Sequence, residues 1–456
     1  MTTSLDDAPL SSFHKRLAAY ASGGAFMQGY ILSITGVAMV QIAPQLNLSP
    51  LQQGLVVGSA LVGGLPGAYF GGFLADKFGR QTLYSLVLGL TIVCSIASFW
   101  ATNFVALIIA RLLIGVAVGA DWPVAQSLVG EFIPRKHRGR LLGFFCVMWF
   151  VGAAIAYIVG AVMLNNVGDN AWRWMVLSAA VPGFAFLVLR RGTPESPRWL
   201  LSKGRVEDAT AVMHKVFGPG VTLSELPQDE DGTASLRTLI RSGYMGRVVF
   251  TFVWWTCSVI PLFAIYGFGP AILGALHMGE GMDVIGSAII TVLFLIGTVV
   301  AVLLVNRMSR RRMIIGSFAF SGIPLLLLGI FPDSPGSVAL ALFAMYAVFL
   351  GGTQILQAVY PVEMFPTEIR GTAIGLSFAL VNTFTTVGTF LVPIVQNKYG
   401  IGITVLSGAI LTLLGALICV RFAPETRELT LVEAAKLNPD ARTLGQTTTE
   451  VEYNAQ

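Results

Sequence analysis

A five-residue signature occurs twice in this chain, 232 residues apart: Glu131, Pro134, Arg138, Gly139 and Gly143 recur in the same spacing as Glu363, Pro366, Arg370, Gly371 and Gly375. Two more echoes have nearly the same offset. Asp76-Lys77-Phe78-Gly79-Arg80 answers Asn306-Arg307-Met308-Ser309-Arg310, and Pro194-Glu195-Ser196 answers Pro424-Glu425-Thr426. Self-similarity at a fixed offset marks a duplicated unit, so the chain is expected to fold as two related halves.

Composition decides the solvent in which those halves fold. Hydrophobic residues make up 55% and charged residues only 12%, with a mean hydropathy of +0.74; a soluble domain carries about 25% charged residues. Apolar stretches of the roughly 20 residues that cross a bilayer occur twelve times, near 17–44, 55–75, 82–100, 104–132, 140–164, 172–192, 246–276, 283–305, 312–331, 337–364, 370–396 and 400–423. The expected fold class is an all-α membrane protein with twelve transmembrane helices in two pseudo-symmetric six-helix bundles, over 17–192 and 246–423. A tail (1–16), a linker with short amphipathic helices (193–245) and a second tail (424–456) complete it.

The net charge of +5 and pI near 9.1 do not call for a nucleic-acid partner, because of where the charges lie. Of the 29 Lys and Arg, all but Arg111, Arg173 and Lys398 fall in the tails or in alternate loops on one side, the positive-inside pattern of a multi-pass inner-membrane protein with both termini cytoplasmic. The first sixteen residues are polar and lack a cleavable apolar core, so the first helix is its own insertion signal. Cys94, Cys146, Cys257 and Cys419 lie in the spans without metal or redox spacing and read as packing residues, whereas His14, His137, His214 and His277 lie outside the spans. These features imply a monomer with no cofactor, no metal and no covalent catalysis.

Between the halves, Val206, Ala209, Val212, Met213 and Val216 recur at helical spacing, predicting an amphipathic helix. Gly63, Gly67 and Gly71 stand four apart in the second span, and Gly152, Ala156 and Gly160 do so in the fifth. Such rows let backbones approach closely, either as fixed packing or to allow sliding.

Several stretches resemble the major facilitator superfamily, over nearly the whole chain. Gly72 to Arg80 resembles its loop signature between helices 2 and 3. The Arg111-x3-Gly115-x3-Gly119 run, Pro194 to Leu200 and Pro361 to Gly371 resemble the sugar-porter branch and its organic-ion relatives. Gly119-Ala120-Asp121-Trp122-Pro123 is similar to the helix 4 motif of phosphate:proton symporters. The hexose-porter helix 7 motif is absent, Trp254-Trp255-Thr256-Cys257-Ser258 standing in its place, and helix 1 reads Gln28-Gly29-Tyr30-Ile31 where related proton symporters often carry an acid. The resemblance implies a cytoplasmic gate in which Glu131, Arg138 and Arg80 engage Arg370, Glu363 and Arg310 in the outward-open state, with Asp76, Glu195 and Glu425 nearby. Pairs worth about 1 kcal/mol each suffice to bias a two-state equilibrium.

Asp121 is the one acid well inside a span and Arg111 the one base. Charges at membrane depth mark ion or solute paths. Asp121 lies roughly 25 Å from the outer end of its helix at 1.5 Å per residue, level with Gln28, with which it is expected to share a hydrogen bond. Burial favours the protonated carboxylate, which suits a proton carrier; Asp121, Arg111 and Gln28 are therefore the expected coupling residues. The alternatives are a non-titrating Asp121 that bonds helix ends, and an Arg111 that either tethers helices 4 and 1 or serves as a ligand for an anionic substrate. Gln28, Trp255, Ser258, Tyr266, Thr353, Gln357, Tyr360, Asn382 and Thr386 are the expected solute contacts, their aromatic faces, amides and hydroxyls suiting a small hydroxylated or carboxylated molecule.

The implied function is secondary active transport of a small polar organic solute, a sugar or organic acid, by alternating access across the lipid bilayer, coupled to protons. A facilitator without protons, a drug or metabolite exporter, and a receptor derived from a transporter are the alternatives.

Overall fold

The computed structural model describes residues 11–132, 135–217, 236–241, 243–276, 282–305 and 307–426. Within them the chain is helical throughout. The first half contains α1 (Ser12–Ala21), α2 (Gly23–Gln45), α3 (Pro50–Phe78), α4 (Arg80–Phe99), α5 (Phe104–Phe132), α6 (Arg135–Val167), α7 (Ala171–Ser178) and α8 (Ala180–Leu189). The connection holds α9 (Pro197–Ser202), α10 (Val206–Phe217) and α11 (Leu236–Arg241). The second half contains α12 (Met245–Ala275), α13 (Met282–Leu304), α14 (Arg310–Ile330), α15 (Gly336–Met364) and α16 (Thr367–Phe422).

Among the described residues, ten stretches are long and apolar enough to cross a membrane. Two of them are about twice the roughly 20 residues a span needs: Gly143–Leu189 has 47 and Ile369–Phe422 has 54. The first is interrupted by the 3-10 turn Gly168–Asn170, where Gly168 has φ +76°, and the second turns at Gly400, φ +83°. Only glycine enters that region without cost. Leu86, Val93, Leu303 and Leu417 are exposed, which water would penalise and lipid does not.

Local chemistry starts the helices. Ser49 opens α3 with a reciprocal capping box: its hydroxyl accepts from the Gln52 N–H at 3.3 Å, its own N–H donates to Gln52 Oε1 at 2.9 Å, and Pro50 occupies the first turn. Ser196 caps α9 through the Trp199 N–H at 3.1 Å, and Ser309 caps α14 through the Arg312 N–H at 3.3 Å. On α10, Ala209 and Met213 are buried.

Glycine sets the spacing between helices. A Cβ on Gly63 would stand 2.1 Å from the Leu112 carbonyl oxygen, one on Gly67 2.2 Å from that of Val116, and one on Gly119 2.3 Å from that of Gly64, so α3 and α5 touch backbone to backbone. Gly29 and Gly152 do the same for α2 against α6, as Gly297 and Gly351 do for α13 against α15. The packing repeats between the halves: α3 on α5 is matched by α13 on α15, and α2 on α6 by α12 on α16. The halves meet where α3 packs on α16, α6 on α13 and α2 on α12.

Candidate functional site

Between the halves lies a cavity whose empty volume, open solvent included, is ≈ 590 Å³. Ile31 and Leu32 of α2, Ala60, Leu61 and Gly64 of α3, and Ile114, Gly115 and Val118 of α5 form an apolar wall, which Phe263 of α12 and Phe378 of α16 face. Two amides among the described residues relieve it, Gln28 of the first half and Asn382 of the second, and none of the described lining residues is charged. Glycine creates the room, since α3 and α5 lean together at Gly64, Gly115 and Gly119.

One end of the cavity is sealed by a consequence of proline. Pro270 has no N–H to give the carbonyl four residues back, that of Tyr266, and Phe268 leaves helical geometry at φ −136°. The Tyr266 carbonyl instead accepts the Tyr157 hydroxyl of α6 at 3.0 Å, and that hydroxyl also reaches the Ile265 carbonyl at 3.2 Å. Gly36 lets α2 close on the same Tyr266 oxygen, Gly267 takes Val57 of α3, and Gly54 takes Phe390 of α16. Tyr266 is fully buried, edge-on to Trp149 with centroids 4.9 Å apart. It belongs to this distal seal and does not line the cavity.

Asp121 faces away from the cavity. Arg190, just past α8, donates Nη1 to Oδ1 at 2.5 Å and Nη2 to Oδ2 at 3.1 Å, and both residues are buried. Arg190 also donates to the carbonyls of Tyr84 at 2.7 Å and Tyr20 at 3.4 Å, and its guanidinium lies 3.5 Å from the Tyr84 ring centroid. The junction ties α1, α4, α5 and α8. The expected hydrogen bond between Asp121 and Gln28 is not formed: the α2 residue against Asp121 is Gly24, one helical turn, or about 6 Å, before Gln28. No motif or spacing marks Arg190 in the sequence; the signal that points to it is an intramembrane acid in need of a partner.

Arg111 is buried one turn beyond the cavity. Its Nε donates to the Val56 carbonyl at 3.0 Å and Nη1 to the Thr35 hydroxyl. It does not meet Asp121.

In the second half, Ser258 of α12 meets Thr353 of α15 at 2.8 Å, Gln354 donates to Ser258 at 2.8 Å, and Gln357 donates to Gln354 Oε1 at 3.1 Å. Three of the expected solute contacts thus gather around Gln354, a residue sequence reasoning passed over although it stands beside Thr353. Trp255 packs at a tilt against the cavity residue Phe378, with centroids 5.8 Å apart and ring planes 55° from parallel. Thr386 donates to the Asn382 carbonyl of its own helix at 2.8 Å. Tyr360 is fully buried among Phe250 and Trp254, with its hydroxyl on the Pro424 carbonyl, and takes no place in the cavity wall.

The duplicated motifs fold alike. Glu195 accepts the N–H groups of Arg80 at 2.9 Å and Gln81 at 3.1 Å at the start of α4, and Glu425 accepts those of Arg310 at 3.0 Å and Arg311 at 3.3 Å at the start of α14. A carboxylate at a helix N-terminus is favoured by the orphan N–H groups and the dipole. Glu363 pairs with Arg310 at 3.0 Å and accepts from Thr426 at 2.5 Å; Arg370 donates to the Phe365 carbonyl at 3.1 Å. These bonds run within one half. The side chains of Asp76, Glu131 and Arg138 lie outside the described residues.

Residues 12–437 match the family model "Sugar (and other) transporter". The chain is 39% identical over 441 residues to the putative metabolite transport protein YaaU of Escherichia coli (strain K12), covering 96% of this chain and 98% of that protein. It is 36% identical to the inner membrane metabolite transport protein YgcS of the same organism, over 95% and 96% of the two chains. A solved partially occluded, inward-open structure of the xylose transporter XylE from E. coli overlays with a TM-score of 0.78 at 21% identity, over 92% of this chain and 100% of that one. This chain is a multi-pass membrane transporter and belongs to the sugar (and other) transporter family.

Proposed function

We propose that the protein is an inner-membrane symporter that moves a sugar or organic acid together with protons, working as a monomer with both termini in the cytoplasm. The carrying observation is the cavity between the halves, with Gln28 on one side, Asn382 on the other and a seal across one end. The two overlong stretches broken at Gly168 and Gly400 support twelve spans, and the repeated helix pairs support two six-helix bundles over 17–192 and 246–423, joined by 193–245 and flanked by tails 1–16 and 424–456. In this reading the distal seal is periplasmic and the cavity is closed to the outside.

Solute rests against Gln28, Asn382, Phe263 and Phe378, with Trp255 behind Phe378 and the Ser258, Thr353 and Gln357 cluster tying α12 to α15. Asp76, Arg80, Glu131, Arg138, Glu195, Arg310, Glu363, Arg370 and Glu425 form the cytoplasmic gate. When that gate closes, charge pairs within each half exchange for pairs across the halves. Asp121 couples transport to protons by exchange: Arg190 neutralises it in the inward-facing state and a proton does so in the other. Purified protein in liposomes should show counterflow of at least one member of a panel of sugars and organic acids. Asp121→Asn should abolish gradient-driven accumulation and spare exchange; unchanged accumulation would remove the coupling role. A second reading, a facilitator without protons, is favoured by the absence of any acid among the described cavity-lining residues, and uptake indifferent to an uncoupler would select it.

A further inference from the structure

We infer that Arg111 is the anion-recognising group of the solute path, and that the transported solute therefore carries a carboxylate. The inference deepens the transport reading above and rests on it.

Arg111 is 3% exposed and two of its nitrogens are satisfied, Nε by the Val56 carbonyl and Nη1 by the Thr35 hydroxyl. Its Nη2 has no acceptor among the described residues. Among the described residues no carboxylate pairs with it, and Asp121, ten residues or about 15 Å further along the same helix, has both oxygens on Arg190. A guanidinium in a membrane without a counter-charge and with a donor unmet is an arrangement that folding disfavours. A function that needs the charge explains its presence.

Its placement says which function. Ile31 and Leu32 line the cavity, and Thr35 is the next turn of α2. Ile114 and Gly115 line it, and Arg111 is the next turn of α5. Ala60 and Leu61 line it, and Val56 is the next turn of α3. All three are displaced toward the seal. Beside Thr35, Gly36 touches the Tyr266 carbonyl, and beside Val56, Val57 touches Gly267. The guanidinium therefore occupies the layer between cavity and seal, through which a solute arriving from the distal side must pass. When the halves part there, Tyr266 and Gly267 withdraw and Nη2 is uncovered.

The charge balance selects the solute. With no charged residue among the described residues of the cavity lining, an anion neutralises Arg111, a cation is repelled, and a neutral molecule can accept from the donor but leaves the charge unbalanced. A carboxylate fits the guanidinium fork, while Gln28, Asn382 and the rings of Phe263 and Phe378 suit the remainder of a hydroxylated or planar body.

The test is counterflow in proteoliposomes with matched pairs: D-glucuronate against D-glucose, D-galacturonate against D-galactose, and 4-hydroxybenzoate against 4-hydroxybenzyl alcohol. At least one acid should exchange and its neutral twin should not. Arg111→Gln should lower that acid's exchange by about tenfold or more, while Arg111→Lys keeps the preference for acid at a reduced rate. A residue that merely tethers α2, α3 and α5 would slow every solute alike and leave the acid-to-neutral ratio unmoved. That result, exchange of the neutral members alone, or acid exchange intact in Arg111→Gln overturns the inference and leaves transport standing. Silence across the whole panel overturns both. Should Arg111→Gln fail to fold, the wild-type ratio and Arg111→Lys decide.

Discussion

Arg190 grips Asp121 through both carboxylate oxygens, at 2.5 and 3.1 Å, with its guanidinium laid on the Tyr84 ring. Two charges that would each be costly in the membrane are thereby met, and the carbonyls of Tyr20 and Tyr84 take further donors of the same guanidinium. The pair holds four helices of one half at a single point.

Removing one partner leaves the other charged in a dry place, which costs about 3–5 kcal/mol, whereas removing both costs much less. Arg190→Gln should therefore lower the thermal unfolding midpoint in detergent more than the double variant Asp121→Asn/Arg190→Gln does. Equal losses would mean that the two residues are not energetically joined.

The distal seal hangs on the Tyr266 carbonyl that Pro270 leaves free. Tyr157→Phe removes the hydroxyl and keeps the ring, at a cost of about 1 kcal/mol. The inward-facing population should fall roughly fivefold relative to the outward-facing one. Spin labels across the distal ends of α3 and α16 read this by pulsed distance spectroscopy, and an unchanged distribution would show that the hydrogen bond does not hold the seal.

Two glycines separate packing from helix propensity. A Cβ on Gly67 would stand 2.2 Å from the Val116 carbonyl oxygen, whereas one on Gly89 would meet nothing within 4 Å. Gly67→Ala should destabilise by about 1–3 kcal/mol through overpacking, and Gly89→Ala should be neutral or stabilise by up to about 1 kcal/mol. Unfolding midpoints of the two variants check the contrast; if both behave alike, the α3 and α5 backbones are not in contact.

The large features were legible because they are linear in the chain. Repeated motifs reveal duplication, and apolar runs reveal spans, so Glu195 and Glu425 could be aligned before their helices were seen. Partnerships were harder. Asp121 stood out by its depth, but its partner lay 69 residues on, at a helix end where arginines are common. Gln28 and Asn382 were named separately and the fold brings them to one cavity. Tyr266 and Tyr360 have the residue type of a solute contact, yet one is drawn into the seal by a neighbouring proline and the other into the core by the Pro424 carbonyl. Residue type and helical face do not say which face turns inward once the spans have packed. The layer formed by Thr35, Val56 and Arg111 likewise joins three helices, and no pattern within one helix announces it.

The central claim is that one cavity between the halves opens to each side of the membrane in turn. Single cysteines in place of Gln28 or Asn382, in a chain whose Cys94, Cys146, Cys257 and Cys419 have been replaced, can be challenged with a membrane-impermeant thiol reagent in right-side-out and inside-out vesicles. Alternating access predicts labelling at both positions from either side, suppressed by a transported solute. Labelling from one side only, or from neither, would contradict it.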